Sequence, residues 1–319
     1  MIFLRILGRR LVSLVPLVLG IVLFVFTVMQ FSATDPAIAV FADAPVTPDQ
    51  LEQFREEHGL NDPFLVRYVA FLGLILQGRL GKSLATGEEV THMLSTALPL
   101  TIQLTLLGLS IAVVIALIFG TLSAIFRDLW PDQLIRFVSL LGVAAPSFWV
   151  ALLLIQWLAI DRPIFPTGGY INPSDSITGW LLTMALPALS LGFPVAAQLT
   201  RIIRTSMVEE LDRDYVRTAR GGGLHPVVVV GRNVLRNALI NPLNVLGLRV
   251  GYLLGGAVVI EQMFNLPGMG RLMIEGVKNS EPAVVQGAVL TIALGFVLVN
   301  LIVDVLSLLA NPKLRSRAA

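Results

Sequence analysis

The residues of this chain that could do chemistry are few, and their spacing excludes more than it allows. Gly81-Lys82-Ser83 ends like a phosphate-binding loop, in which a glycine-rich backbone and a lysine cradle nucleotide phosphates. That motif needs a glycine five residues before Gly81, and Leu76 stands there instead, so nucleotide binding by this segment is rejected. The chain has no cysteine, which removes disulfides, thiolate nucleophiles and cysteine-ligated metals. His58, His92 and His225 lie far apart without a ligand spacing. No catalytic residue, metal site or cofactor bound by this chain is expected.

What remains is electrostatic. Arg249 and Asp304 interrupt apolar runs, and intramembrane charges are candidate functional residues by default. At ~1.5 Å per residue, both stand about 12–14 Å from the same ends of their runs. That matched depth permits an ion pair; lining or gating a path is the alternative. A second polar feature is the stretch Glu209 to Asn241, rich in arginine and punctuated by Gly221-Gly222-Gly223. Such a loop between membrane-length runs suits docking onto a soluble partner better than chemistry of its own.

The elements that must position these residues are apolar. Of 319 residues 55% are hydrophobic and only 14% charged, with a mean hydropathy of +0.80. Soluble domains carry about 25% charged residues, so the deficit indicates a membrane protein. The net charge of +2 gives no reason to expect nucleic acid. A spanning helix needs roughly 20 apolar residues. Leu11 to Phe31, Leu98 to Phe126, Phe137 to Ile160, Gly179 to Thr200, Asn237 to Ile260 and Pro282 to Val303 each qualify, the fifth interrupted only by Arg249. The first is longer than the apolar region of a signal peptide, of roughly 7–15 residues, so an uncleaved anchor is favoured over a signal peptide ending near Ala37-Ile38-Ala39. The expectation is an all-α polytopic membrane protein with about six transmembrane helices.

Orientation follows from the basic residues. With the N-terminus inside, inner segments hold fifteen arginines and lysines and outer segments seven, which places both termini in the cytosol. The chain then reads as one transmembrane domain over residues 1–319, with an outer loop at 32–96 and a cytosolic loop at 205–240. In the outer loop, Thr47-Pro48 with Asp49 and Glu52 is a helix-start signal and Gly59 a stop. Phe64 to Gln77 is apolar but too short to span, so it lies along the membrane surface or packs on the spans. In the cytosolic loop, Glu209 with Arg213 and Asp214 with Arg217 have helical pair spacing. The three glycines should end that helix, and Pro226 suits the first turn of the next. Pro146 and Pro187, with Gly108, Gly142 and Gly255-Gly256, fall within spans, where they permit kinks and close helix contacts. Gln103, Gln198, Gln262 and Asn300 are read as bonding neighbouring helices rather than substrate.

An ordinary inner loop would explain the composition of 205–240 but not its order. Asp214-Tyr215-Val216-Arg217-Thr218-Ala219-Arg220, the spaced Gly223 with Leu224, and Asn233 to Leu239 resemble the EAA loop of ABC importer permeases. The match is to the B-type subunit of the dipeptide, oligopeptide and nickel family. Gly221 and Gly222 replace that family's small-plus-basic pair. Asp35-Pro36-Ala37 is similar to its GDPA, and Gly78 to Ser83 to its GDLGxS. Glu261 with Phe264, Pro267, Gly268, Gly270 and Arg271 is similar to its ExxFxxPGxGR. Pro282 to Gly287 and the closing Asn300, Asp304 and Pro312-Lys313 complete a match in consistent order from 35 to 313.

The resemblance implies a type I importer permease without catalysis of its own, in the bacterial inner membrane. It pairs with a second homologous permease, two cytosolic ATPases that hold ATP and Mg, and an extracytosolic substrate-binding protein. Asp214, Tyr215, Arg217, Thr218, Ala219, Arg220, Gly223 and Leu224 would couple the permease to an ATPase. Glu261, Phe264, Pro267, Gly268, Gly270 and Arg271 would form an outer loop or gate, with Glu261 either fixing that loop or facing the binding protein. Peptide is the leading substrate, and a nickel chelate the alternative within the family. A gradient-driven secondary transporter is the competing class, but it would have no use for a docking loop and would often show an internal repeat. An intramembrane enzyme lacks a nucleophile with a matched base.

Overall fold

The computed structural model describes residues 16, 18–29, 35–41 and 46–310, and among them the chain is helical, with one isolated bridge between Lys82 and Glu89. The helices are α1 (Val18–Met29), α2 (Pro36–Val40), α3 (Pro48–Glu57), α4 (Phe64–Leu76), α5 (Val90–Ile125) and α6 (Trp130–Ala144). There follow α7 (Ser147–Leu154, continued by a π-helical turn Ile155–Ile160), α8 (Ile177–Leu211), α9 (Asp214–Gly221) and α10 (Pro226–Val228). A π-helical turn Val229–Val234 leads from α10 into α11 (Leu235–Ala238), then α12 (Ile240–Met263), α13 (Met269–Lys278) and α14 (Pro282–Ala310). Side chains of 244, 248 and 303–310 lie outside the described residues.

Two compact units emerge from the packing. The first takes the chain up to Thr101 together with Pro267–Leu298. Its α1 and α4 close around an aromatic cluster: Phe26 meets Phe64 and Tyr68 edge-on at 5.2 and 5.4 Å and stacks on Phe71 at 6.1 Å, with Leu290 of α14 beneath. So α4, too short to span, packs against apolar helices. A second cluster joins Val90, Leu94 and Ala97 of α5 to Met269, Val284 and Ala288. The buried Glu281, just before α14, accepts hydrogen bonds from Ser83 Oγ, Leu84 N and Ala85 N, each 2.8 Å, and so fastens the Lys82–Glu89 turn. Thr47 and Gln50 form a reciprocal capping box at the start of α3, which ends before Gly59 at φ +62°.

The second unit, Ile102–Leu266, is built around α8, whose middle is buried on nearly every side by α6, α7 and α12. Helices in lipid gain little from hydrophobicity and rely on close packing through small residues. Gly192 approaches Gly108 so closely that a Cβ on it would lie 2.4 Å from the Gly108 carbonyl oxygen. A Cβ on Gly142 would lie 2.7 Å from Ala197 Cβ, and one on Gly120 would lie 2.8 Å from Ile203. Of the Gly255-Gly256 pair, Gly256 packs against Leu191 while Gly255 meets nothing within 4 Å.

Among the described residues, three helices are long and apolar enough to cross a membrane: α5, α8 and α14, the last as far as Ile302. The bent pairs α6 with α7, at 107°, and the two halves of α12, at 43°, raise the number to as many as five. Most of the Leu11–Phe31 run beyond α1 lies outside the described residues. One expectation is corrected. Phe137 to Ile160 is not a single straight span, because Ala145 takes an extended conformation (φ −76°, ψ 122°) before Pro146 and the chain turns sharply there. The ring of a proline clashes with an α-helical residue before it, so two helices replace one, and α6 starts earlier, at Trp130.

Gly192→Ala should cost about 1–3 kcal/mol through overpacking, seen as a lowered melting temperature of the detergent-solubilised protein. Gly255→Ala, with open space around it, should leave melting unchanged or raise it. Equal melting of the two variants would refute the Gly108–Gly192 crossing.

Candidate coupling surface

The polar segment between α8 and α12 is built from local capping chemistry. Asp212 ends α8, Arg213 is extended (φ −71°, ψ 148°), and α9 begins one residue later. Glu209 and Arg213 therefore do not share a helix, as their spacing suggested; the break falls between them. Arg213 approaches Glu210 at 3.8 Å instead. The end of α9 is a Schellman closure: Leu224 N donates to Ala219 O (3.2 Å) and Gly223 N to Arg220 O (3.0 Å). That closure places Gly223 at φ +78°, where a side chain would be strained although space is open. Neither Gly221 nor Gly222 has a positive φ. His225 accepts from Val227 N, and Pro226 occupies the first turn of α10 as its sequence suggests.

The faces of α9 are unequal. Val216 is buried and fixes the inner side. Asp214, Arg217, Thr218 and Arg220 are exposed, and Ala219 is partly so. Arg217 and Asp214 lie 3.6 Å apart with most of their side chains in solvent, so their attraction is weak and the guanidinium stays available. Leu224, Val227 and Val228 extend this basic face with exposed apolar surface.

Tyr215 has two roles in one side chain. Its hydroxyl donates to Glu210 Oε2 at 2.7 Å and accepts from Asn237 Nδ2 at 3.3 Å, tying α9 to the end of α8 and to α11. The residue as a whole remains 37% exposed. Burial pushes the hydroxyl's pKa up, opposed by the Asn237 bond and aided by the Glu210 carboxylate. The neutral donor is thus favoured: its contribution is complete below the usual tyrosine range and disappears only as pH rises through the raised value.

The other candidates sit elsewhere. Glu261 is fully buried, and its carbonyl accepts from Leu266 N at 2.8 Å. Phe264 is buried and its carbonyl accepts from Gly169 N at 2.9 Å, while Gly168 has no room for a Cβ there. In the first unit, Pro267 is exposed, Gly268 and Gly270 are buried, and Arg271 pairs with Glu275 at 2.7 Å. The Arg249–Asp304 pair cannot be placed, since the Asp304 side chain lies outside the described residues; Arg249 Nε is buried without a hydrogen-bond partner among the described atoms. Gln103 accepts from Tyr170 Oη and Trp180 Nε1, at 3.1 and 2.9 Å, so it bonds protein neighbours.

Sequence reasoning missed one cluster near the α8 end of this surface. Asp132 and Ser123 are fully buried, and the Asp132 carboxylate holds Arg204 through two hydrogen bonds. Asp132 carries a helix-start signal in Trp130-Pro131-Asp132, whereas Arg204 looks like one more inside-facing cation; nothing local joins them.

Two family models cover the chain. Residues 112–316 match the binding-protein-dependent transport system inner membrane component, and residues 3–105 match the N-terminal component of the same systems. The chain belongs to the binding-protein-dependent transport permeases. It is 36% identical over 307 residues to a putative peptide transport system permease protein of Brucella abortus, covering 96% of this chain and 98% of that one. It is 37% identical over 310 residues to a glutathione transport system permease protein of Pectobacterium atrosepticum (96% and 97% covered), and 34% over 307 residues to a probable peptide ABC transporter permease protein of Sinorhizobium fredii (96% and 98%). The protein is an ABC importer permease, multi-pass in the inner membrane, within a complex that includes ATPase and binding-protein partners.

Tyr215→Phe should keep the ring but lose both hydroxyl bonds, worth about 0.5–1.5 kcal/mol each at most. Amide exchange over 213–224 should accelerate near neutral pH. Unchanged exchange would mean the hydroxyl does not hold α9.

Proposed function

We propose that this permease imports peptides handed over by an extracytosolic binding protein, and that α9 is the helix through which ATPase movement reaches the spans. The observation carrying this reading is the exposed basic face of α9, presented on an eight-residue helix whose inner side is pinned by Val216 and the Tyr215 hydroxyl. Arg217 and Arg220 offer charge-assisted hydrogen bonds to carboxylates or carbonyls of an ATPase groove. Leu224, Val227 and Val228 offer the apolar anchors on which such interfaces mostly rest. The small Thr218 and Ala219 allow close approach.

In this reading two ATPases hold ATP and Mg beneath this chain and a second homologous permease. ATP binding closes the ATPases, displaces α9 and turns the path outward; hydrolysis, carried out entirely in the partner subunits, resets it. Both termini lie in the cytosol, which puts Arg217 on the ATPase side. The segment from Glu261 to Arg271 belongs to the outer side, where substrate is received. The names of the similar permeases, peptide and glutathione, support a peptide-like substrate.

The absence of cysteine makes the test direct. With Thr218→Cys as the sole thiol, a short crosslinker applied to native membranes should capture a soluble ATPase, and Arg217→Glu should reduce that capture and abolish uptake while the spans still insert. A reachable thiol that captures no ATPase would overturn the assignment.

A further inference from the structure

We propose that Asp132 and Arg204 are a positioning pair that makes the α5–α6 turn and the last turns of α8 one rigid body, so that displacement of α9 moves three helices together. This rests on the reading of α9 as the coupling helix. Asp132 is fully buried, yet its carboxylate is saturated: Arg204 Nε and Nη2 donate at 2.7 and 2.6 Å, Ser123 Oγ donates to Oδ1, and Asp128 N donates to Oδ2 at 3.0 Å. Arg136 of α6 adds a fifth group at 3.6 Å. The donors come from the end of α5, the connecting turn and α8, while the acceptor is on α6. A bidentate guanidinium–carboxylate pair fixes orientation as well as distance.

The pair does not stand alone. From the same turn, Arg127 reaches Asp212, the residue that ends α8, at 2.8 Å. Only Arg213 then separates Asp212 from α9. The turn itself is held in an uncommon backbone state, with Asp128 at φ +64°. A buried carboxylate carries a large desolvation cost that a hydrophobic replacement would avoid. What an apolar contact would not supply is a fixed angle between α6 and α8 at the point where a force on α9 arrives. Without the pair, the end of α8 could yield to that force while α5 and α6 stayed behind.

The test uses spin labels in the complete complex with its ATPases. Trp130→Cys on α6 and Glu209→Cys on α8, both exposed, are the only thiols of this chain, and the partner subunits are used with their cysteines replaced. In the parent, the label–label distance should be single, narrow and the same without nucleotide and with ATP plus vanadate. Asp132→Asn should lose that single distance, and the loss should depend on nucleotide. If Asp132→Asn does not assemble, Arg204→Lys, which keeps the charge but not the paired geometry, decides by the same criterion. A pair that only stabilised the fold would lower melting but leave the distance narrow in both states. A parent distance that shifts with nucleotide, or variants as narrow as the parent, would overturn the proposal. Capture through Thr218→Cys separates the two readings: no ATPase captured topples the coupling role of α9, whereas capture with unaltered distances topples only the rigid-body role of Asp132.

Discussion

The backbone contact of α5 with α8 at Gly108 and Gly192 is the constraint on which the second unit depends. Lipid is as apolar as leucine, so burying leucine between two spans gains little there; what holds helices together is the number of atoms brought into contact and the polar groups paired between them. A crossing with no side chain on either strand of contact brings whole turns together. It also brings Gly142 beside Ala197 and Gly120 beside Ile203, so that α8 is gripped along much of its length by small residues of its neighbours. The prolines of α8, Pro187 and Pro194, are tolerated inside this packing.

Polar pairing is concentrated where the helices leave that packed region. Asp132 with Arg204 lies at one end of α8, and Gln103 with Tyr170 and Trp180 lies towards the other. The Gly169–Phe264 hydrogen bond closes the same end as Gln103. In the first unit Glu281 does the equivalent for the Lys82–Glu89 turn. Each of these is a buried or half-buried acceptor that gathers donors from segments distant in sequence. Loops that would otherwise be tethered only at their ends are fastened in the middle.

Much of this was legible beforehand, for reasons that differ by element. The apolar runs over α5, α8 and α14 are long enough that length alone identifies them. The start of α3 depends on a capping box and the end of α9 on one left-handed glycine, which are local rules readable from a few residues; the start of α9 has no side-chain cap, and the Glu209–Arg213 spacing hid the break there. The break at Ala145–Pro146 was legible as a kink but not as a reversal, because a proline within an apolar run restricts its predecessor without saying where the chain goes next. The Asp132–Arg204 pair was hidden altogether. Its partners are 72 positions apart, and the arginine bias that reveals orientation also disguises any single arginine with a private role.

The length of α8 has a mechanical meaning. Thirty-five residues at ~1.5 Å each make a rod of about 52 Å, against roughly 30 Å of hydrocarbon, so α8 is longer than the hydrocarbon core it has to cross. Taking the Gly192 contact as a fulcrum, the arm towards α9 is about 28 Å and the arm towards Ile177 about 22 Å. A beam with its shorter arm on the far side passes on a reduced movement. A tilt of α8 about that point would return at the far end a travel slightly smaller than the one received beside α9, in the opposite direction.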